Sequence, residues 1–211
     1  MKVGKYVVIE GHDGTGKSTQ VSQIRQKLLK HKIDSIEFHE PAGSPMADEI
    51  RNVIKNGRLK RDAMTNMLLF SAARHEIWQK KAIIALNKGK WVIASRNYFS
   101  TLAYQGYGEG LDLDIIENIT RQSTDNQYMN PNIAIILDMD DETERVKRIN
   151  IRGQLENPDT FESKDNIFQL KVRNAYLEIA KSRNIPIISA NQSIEKITNE
   201  IWKHILPCIL N

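Results

Sequence analysis

The sequence predicts an α/β fold, a five-stranded parallel sheet flanked by helices on both faces. Short β-branched runs recur at Tyr6 to Ile9, Ile36 to Phe38, Trp91 to Ala94, Ile133 to Leu137 and Ile185 to Ser189, each bounded by polar, Gly or Pro residues. Longer stretches with helical spacing separate them, which implies βαβ units with right-handed crossovers. No repeat, low-complexity block or Pro/Gly/Ser linker divides the chain. At 211 residues, with 40% apolar and 27% charged side chains, a single domain over 1–211 around one continuous core is expected.

The first strand runs into GHDGTGKST, Gly11 to Thr19, and then into a helical pattern from Gln20 to Lys30. The stretch fits G-x-x-x-x-G-K-[ST] at Gly11, Gly16, Lys17 and Ser18. Glycines allow the backbone to fold around an anion, so that successive N–H groups and the helix N-terminus point at phosphate oxygens. Lys17 would offset β- and γ-phosphate charge and the Ser18 hydroxyl would ligate Mg²⁺, with His12, Asp13, Gly14, Thr15 and Thr19 completing the ATP-binding loop. Strand, loop and helix in this order specify a P-loop NTPase fold. No Asn/Thr-Lys-x-Asp guanine reader occurs in the sequence, which lowers the GTPase reading.

Beyond the second strand come Glu40-Pro41, a loop from Ala42 to Met46, and a helix carrying Arg51. The helical stretch from Met64 to Leu86 places Phe70 and Arg74 four apart, on one face. A ring there can stack on a pyrimidine while the guanidinium donates to a carbonyl oxygen. After the third strand, Thr101 and Gln105 are again four apart, followed by a loop candidate from Tyr107 to Gly110 and a helix from Leu113 to Thr120. The fourth strand leads to a helix from Asp141 to Arg152, a loop from Gly153 to Lys164, a helix from Ile167 to Ser182 and the fifth strand.

EPAGS (Glu40 to Ser44), LLFSAARHE (Leu68 to Glu76), SRNYFSTLAYQG (Ser95 to Gly106) and RINIRGQLENPDTFE (Arg148 to Glu162), together with the phosphate loop, resemble the thymidylate kinase family of nucleoside monophosphate kinases. The resemblance covers most of the chain in the right order. It implies phosphorylation of dTMP to dTDP by ATP with Mg²⁺, in dTTP biosynthesis. It places Thr101 and Gln105 at the base edge, Tyr104 against the sugar, Arg96 on the acceptor phosphate and Asp13 on the acceptor 3′-hydroxyl. Glu40, Pro41, Arg51 and Ser100 complete the implied substrate site, although His39 stands where the Glu-Pro turn is usually preceded by Arg. It also implies a mobile lid at approximately 148–164, whose Arg148 and Arg152, four apart, meet the transferring phosphoryl group. The phosphate loop itself has no basic residue at Asp13, Gly14 or Thr15.

One departure stands out. The family closes its third strand with Asp-Arg-Tyr or Asp-Arg-His, the acid ordering Mg²⁺ and its waters. This chain has Ser95-Arg96-Asn97. Ser95 can hydrogen-bond a metal-bound water but lacks the charge that holds a hard cation. Asp138, at the end of the fourth strand, matches the family's Leu-Asp strand end and is not assigned to Mg²⁺. The expectation is retained kinase activity with weaker use of Mg²⁺ or reduced turnover. A deoxynucleoside kinase acting on a hydroxyl, and a nucleotide-binding homologue with impaired catalysis, are the other readings at this stage.

The formal charge of +4 suits an anionic small ligand, while the scattered basic residues form no polybasic arm, so no nucleic-acid partner is expected. The N-terminal apolar run is too short for a signal peptide or membrane span. The single cysteine, Cys208, is read as a small apolar residue of the last helix, compatible with a reducing, cytoplasmic setting. Family resemblance further implies a homodimer packed through helices.

Overall fold

A continuous β-branched run, Val7 to Ile9, flanked by Tyr6 builds strand β1 (Tyr6–Gly11), every residue of which is buried in the computed structural model. The structure describes residues 4–151, 161 and 164–210. Helix α1 (Lys17–Lys30) returns the chain to β2 (Ser35–His39). The next helix, α2 (Pro45–Lys55), starts where the sequence predicts a loop to end: Ser44 accepts the Ala47 N–H at 3.2 Å, and Pro45 occupies the first helical position.

The stretch expected as one helix from Met64 to Leu86 is divided. Helix α3 (Ala63–Ile77) widens into a π-helical segment (Trp78–Ala82) before α4 (Ile83–Asn87). The widened turn seats Trp78, 1% exposed, whose Nε1 donates to Asp125 at 2.8 Å. A second π-helical segment (Leu102–Gly108) follows β3 (Trp91–Ser95) and the short α5 (Tyr98–Thr101), occupying part of the expected loop at Tyr107 to Gly110.

The order continues with α6 (Leu113–Ser123), α7 (Asn126–Met129), β4 (Ile133–Asp138), α8 (Glu142–Ile151), α9 (Asn166–Arg183), β5 (Ile187–Ser189) and α10 (Ile194–Leu210). The last strand begins two residues later than expected, because Pro186 has no N–H for a ladder. Its carbonyl still accepts from Ile136 at 3.0 Å.

The five strands pair in parallel in the order β2-β3-β1-β4-β5, with β1 central. Alternate side chains of the strands enter opposite cores. Val7, Ile9, Ile93, Ile135 and Leu137 pack with Val21, Ile24 and Leu28 of α1 and Ile197, Ile201 and Ile205 of α10. Tyr6, Val8, Val92, Ala94 and Ile136 pack on the other face with residues of α2, α3, α6 and α9. Burial on both faces explains why the strands read as continuous apolar runs. The arrangement brings the carboxyl ends of β1, β2 and β3 together, where open parallel sheets bind ligands. No helix among the described residues is long and apolar enough to cross a membrane.

Candidate active site

The turn between β1 and α1 comes close to its neighbours. A Cβ on Gly11, at φ +137°, would lie 2.3 Å from the Leu137 carbonyl oxygen, so only glycine fits. Lys17 Nζ donates to the His12 carbonyl at 2.8 Å, and Thr15 Oγ1 donates to the same oxygen at 2.9 Å. The first turn of α1 contains no acidic residue, leaving its positive end uncompensated. Ser18 and Thr19 are exposed on that turn.

A cavity of about 200 Å³ adjoins this loop. Asp13, Glu40, Pro41, Arg51, Phe70, Arg74, Arg96, Ser100, Thr101, Tyr104 and Gln105, all expected at the substrate site, line it. Lys55, Ile54, Asn97 and Phe161 also line it and were not expected. Lys55 lies one helical turn beyond Arg51, a spacing that the sequence already contains.

At one end Arg96 organises the cavity. Its backbone has φ +74°, an uncommon region for a residue with a Cβ, fixed in part by its N–H donating to the Ile9 carbonyl at 3.1 Å. The guanidinium donates to Ser100 Oγ at 2.8 Å, Tyr176 Oη at 3.1 Å and Asp13 Oδ1 at 2.5 Å. Tyr104 donates to the other Asp13 oxygen at 2.6 Å. Burial opposes ionisation of Asp13, but Arg96, Lys17 and the Tyr104 hydroxyl outweigh it and hold the carboxyl well below the usual carboxylate range.

Behind Arg96 stands Glu10, fully buried and absent from the sequence expectations. It accepts from the N–H groups of Asn97 at 2.7 Å and Ser100 at 3.0 Å, from Ser100 Oγ at 2.8 Å and from Tyr176 Oη at 3.1 Å. Glu10 therefore anchors the two hydroxyls that orient Arg96. Its position immediately before the loop was visible in the sequence; Tyr176, on α9, carried no signal there.

At the other end Arg74, 2% exposed, donates through Nε to Glu40 at 3.0 Å and through Nη2 to Thr101 Oγ1 at 2.9 Å. Tyr128 donates to the second Glu40 oxygen at 2.8 Å. Burial raises the Glu40 pKa, with Arg74 opposing it. The Nη1 of Arg74 is buried without a partner among the described residues, a state that costs free energy unless a ligand supplies an acceptor. The Phe70 ring lies 6.0 Å from that of Phe161, which meets Tyr104 edge-on at 5.8 Å, so the same end has aromatic walls.

His12 Nε2 lies 2.7 Å from Gln169 Oε1, and Gln169 Nε2 donates to the Phe161 carbonyl at 2.8 Å. Burial lowers the His12 pKa to about 4, so the ring is neutral near pH 7. Ser95 is buried at the end of β3, its carbonyl accepting the Glu40 N–H at 3.1 Å. Asp138 is occupied by a fork from Arg173 at 2.8 and 2.7 Å.

Among the arginines expected to act from the lid, Arg148 donates to Glu144 at 2.9 Å and to the Ala190 carbonyl at 3.2 Å. Arg152 and most of the expected lid lie outside the described residues. Arg145, on α8, is buried and donates to the Asp13 carbonyl at 3.3 Å.

The family model for thymidylate kinase matches residues 9–201. A thymidylate kinase of Prochlorococcus marinus is 38% identical over 210 residues, covering 96% of each chain. Another, of Finegoldia magna, is 35% identical over 197 residues, covering 92% of this chain and 94% of the relative. The crystal structure of thymidylate kinase from Ehrlichia chaffeensis superposes with a TM-score of 0.76 at 25% identity, covering 96% of this chain and 99% of the other. Phosphate loop, cavity and full-length similarity agree, and the chain belongs to the thymidylate kinase family.

Proposed function

We propose that this enzyme transfers the γ-phosphoryl group of ATP to the phosphate of dTMP, forming dTDP and ADP. An acceptor phosphate oxygen forms the new bond to phosphorus as the bond to the β–γ bridging oxygen breaks. The acceptor phosphate is largely ionised at neutral pH, so no general base is required. The two carboxylates that line the cavity, Asp13 and Glu40, are each paired with an arginine, which disfavours a hydroxyl acceptor that needs a free base.

One observation carries this reading: a phosphate loop and an aromatic-walled cavity share Asp13, and Arg74, which lines the cavity, has a buried Nη1 without a partner among the described residues. Phe70 would stack on thymine, Arg74 would donate to its O4, and Gln105 and Thr101 would read its edge. Tyr104 would crowd the sugar and Asp13 would meet its 3′-hydroxyl. Arg96 would grip the acceptor phosphate with the guanidinium edge left by Ser100, Tyr176 and Asp13. Arg51, Ser100, Glu40 and Pro41 complete this assignment, and Arg148 and Arg152 are its lid cations.

The residues fit a Mg²⁺ that arrives on ATP. Ser18 is exposed on α1, and among the described residues no group of three His, Cys, Asp or Glu side chains forms a metal cage of its own. Mg²⁺ commonly retains waters and binds through few protein ligands plus substrate phosphates. Ser18 would hold the ion, which when bound neutralises charge on the β- and γ-oxygens. The reading includes a cytoplasmic homodimer; exposed Met46 and Val53 on α2 and Leu68 on α3 are apolar surface suited to helix packing.

The test is ADP formation with dTMP, dUMP, dCMP and thymidine as acceptors. dTMP should give the highest kcat/KM, and thymidine no turnover above background. Equal or better turnover of thymidine would overturn the assignment.

A further inference from the structure

Helix α8 is basic and largely solvent-facing, yet its basic side chains are treated differently. Lys147 is 68% exposed and Arg148 30%, while Arg145 is 5% exposed along its side chain. Glu142 holds the Arg145 guanidinium in a fork, through Nε at 2.7 Å and Nη2 at 2.5 Å. The remaining edge donates through Nη1 to the carbonyl of Asp13, inside the phosphate loop, at 3.3 Å.

The stem of Arg145 also covers Gly14. A Cβ at Gly14 would lie 2.8 Å from Arg145 Cγ and 2.9 Å from the Arg145 carbonyl oxygen. Gly14 itself has φ +89°, a conformation that favours glycine, and Arg145 of α8 occupies the space a side chain would take. Asp13 is consequently held on both sides: Arg96 and Tyr104 bind its carboxylate, and Arg145 binds its carbonyl. Its neighbour Glu142 offsets much of the Arg145 charge, so hydrogen-bond geometry is the larger contribution.

We propose that Arg145 is a positioning residue for phosphoryl transfer, fixing the phosphate loop through the Asp13 carbonyl and the surface of Gly14. This rests on the kinase reading above. Transfer depends on alignment of donor and acceptor, and small misplacements of the loop are costly in rate. Lysine keeps the charge but offers neither the fork to Glu142 nor the reach to Asp13 at the same time.

The experiment compares wild type with Arg145→Gln, Arg145→Lys and Glu142→Gln. Arg145→Gln should lower kcat by about tenfold or more and weaken ATP binding, measured by calorimetry without acceptor, while dTMP binding measured without donor stays within about twofold. Arg145→Lys should recover less than about half of the lost rate, and Glu142→Gln should show a smaller change in the same direction. The melting temperature of each variant should stay within about 4 °C of wild type. Unchanged kcat and ATP affinity in Arg145→Gln would overturn the proposal, as would full recovery by lysine or a parallel loss of ATP and dTMP binding. ATP binding without acceptor tests Arg145 even where dTMP proves to be the wrong acceptor, so failure of the substrate reading is recognised separately in the wild type.

Discussion

Ser95 stands where the family resemblance implies an acid, and the structure narrows what could compensate. The residue is 3% exposed at the end of β3. Asp138 is committed to Arg173 and Glu10 to the Ser100 and Tyr176 hydroxyls, so neither is a ready substitute acid. A buried carboxylate without a nearby cation is costly, whereas one facing Mg²⁺ on bound ATP is favourable. Ser95→Asp should therefore lower the Mg²⁺ concentration for half-maximal rate by about threefold or more and lower the melting temperature of the ligand-free protein by a few degrees. Titrating rate against Mg²⁺ checks this; no change in Mg²⁺ use and turnover would remove Ser95 from the metal's surroundings. At this scale the residues expected at the substrate site line one cavity, and they were legible because they sit in short local motifs. It did not reveal Glu10, Tyr176 or Arg145, whose partners are brought together only by the fold. Arg148 and Arg152 drew attention by their spacing of four in the sequence, but which face of α8 meets the loop is decided by the fit of Arg145 over Gly14.

The elements themselves were legible where a single periodicity held and illegible where it changed. The first π-helical segment lies inside a stretch read from the sequence as one helix, and the second overlaps only the start of the loop read at Tyr107 to Gly110. Trp78, Ala82 and Leu86 keep a spacing of four across the widened turn, so nothing in the pattern marks Trp78 as the point of change; the Trp78 bond to Asp125, far along the chain, does. The second segment carries Tyr104 and Gln105 into the cavity and ends against α9. There a Cβ on Gly108 would lie 2.7 Å from Phe168 Cε2 and 3.0 Å from its Cζ. Phe168 is 8% exposed, and a buried ring cannot swing aside as freely as an exposed chain end. Gly108→Ala should therefore destabilise the protein by about 1–3 kcal/mol through overpacking. Because α9 also carries Gln169 and Tyr176, the KM for dTMP should rise with it. Urea unfolding and steady-state kinetics provide the check; stability within about 0.5 kcal/mol of wild type would show that the two elements move apart without cost.

At the scale of the whole molecule, the parallel sheet was legible because strands buried on both faces announce themselves as apolar runs, but the links between distant parts of the chain were not. His12 is such a link. It joins the phosphate loop to Gln169 on α9, which in turn holds the carbonyls of Phe161 and Lys164. Burial is the main cause that lowers its pKa from 6.5 to about 4, with Arg145 and Lys17 acting in the same direction and Asp13 and Gln169 against it. The folded protein thus favours the neutral ring, while the unfolded chain takes up a proton below about pH 6.5. The stability contributed by the neutral ring is fully present above the unfolded pKa and is lost as pH falls from about 6.5 toward 4, since the unfolded state binds more protons in that window. Between pH 7 and pH 5 this amounts to about 2 kcal/mol. His39, also lowered by burial, adds a loss of the same sign, so the wild type alone cannot assign the effect. Asp13, held low by Arg96 and Lys17 against its burial, keeps its contribution until the pH falls into the ordinary carboxylate range, below this window. The comparison with His12→Gln isolates the link, because glutamine retains an amide donor for Gln169 and does not titrate. Urea unfolding at pH 7 and pH 5 should show the wild type losing about 2 kcal/mol more than the variant, whereas equal losses would mean that His12 takes up its proton without disturbing the fold.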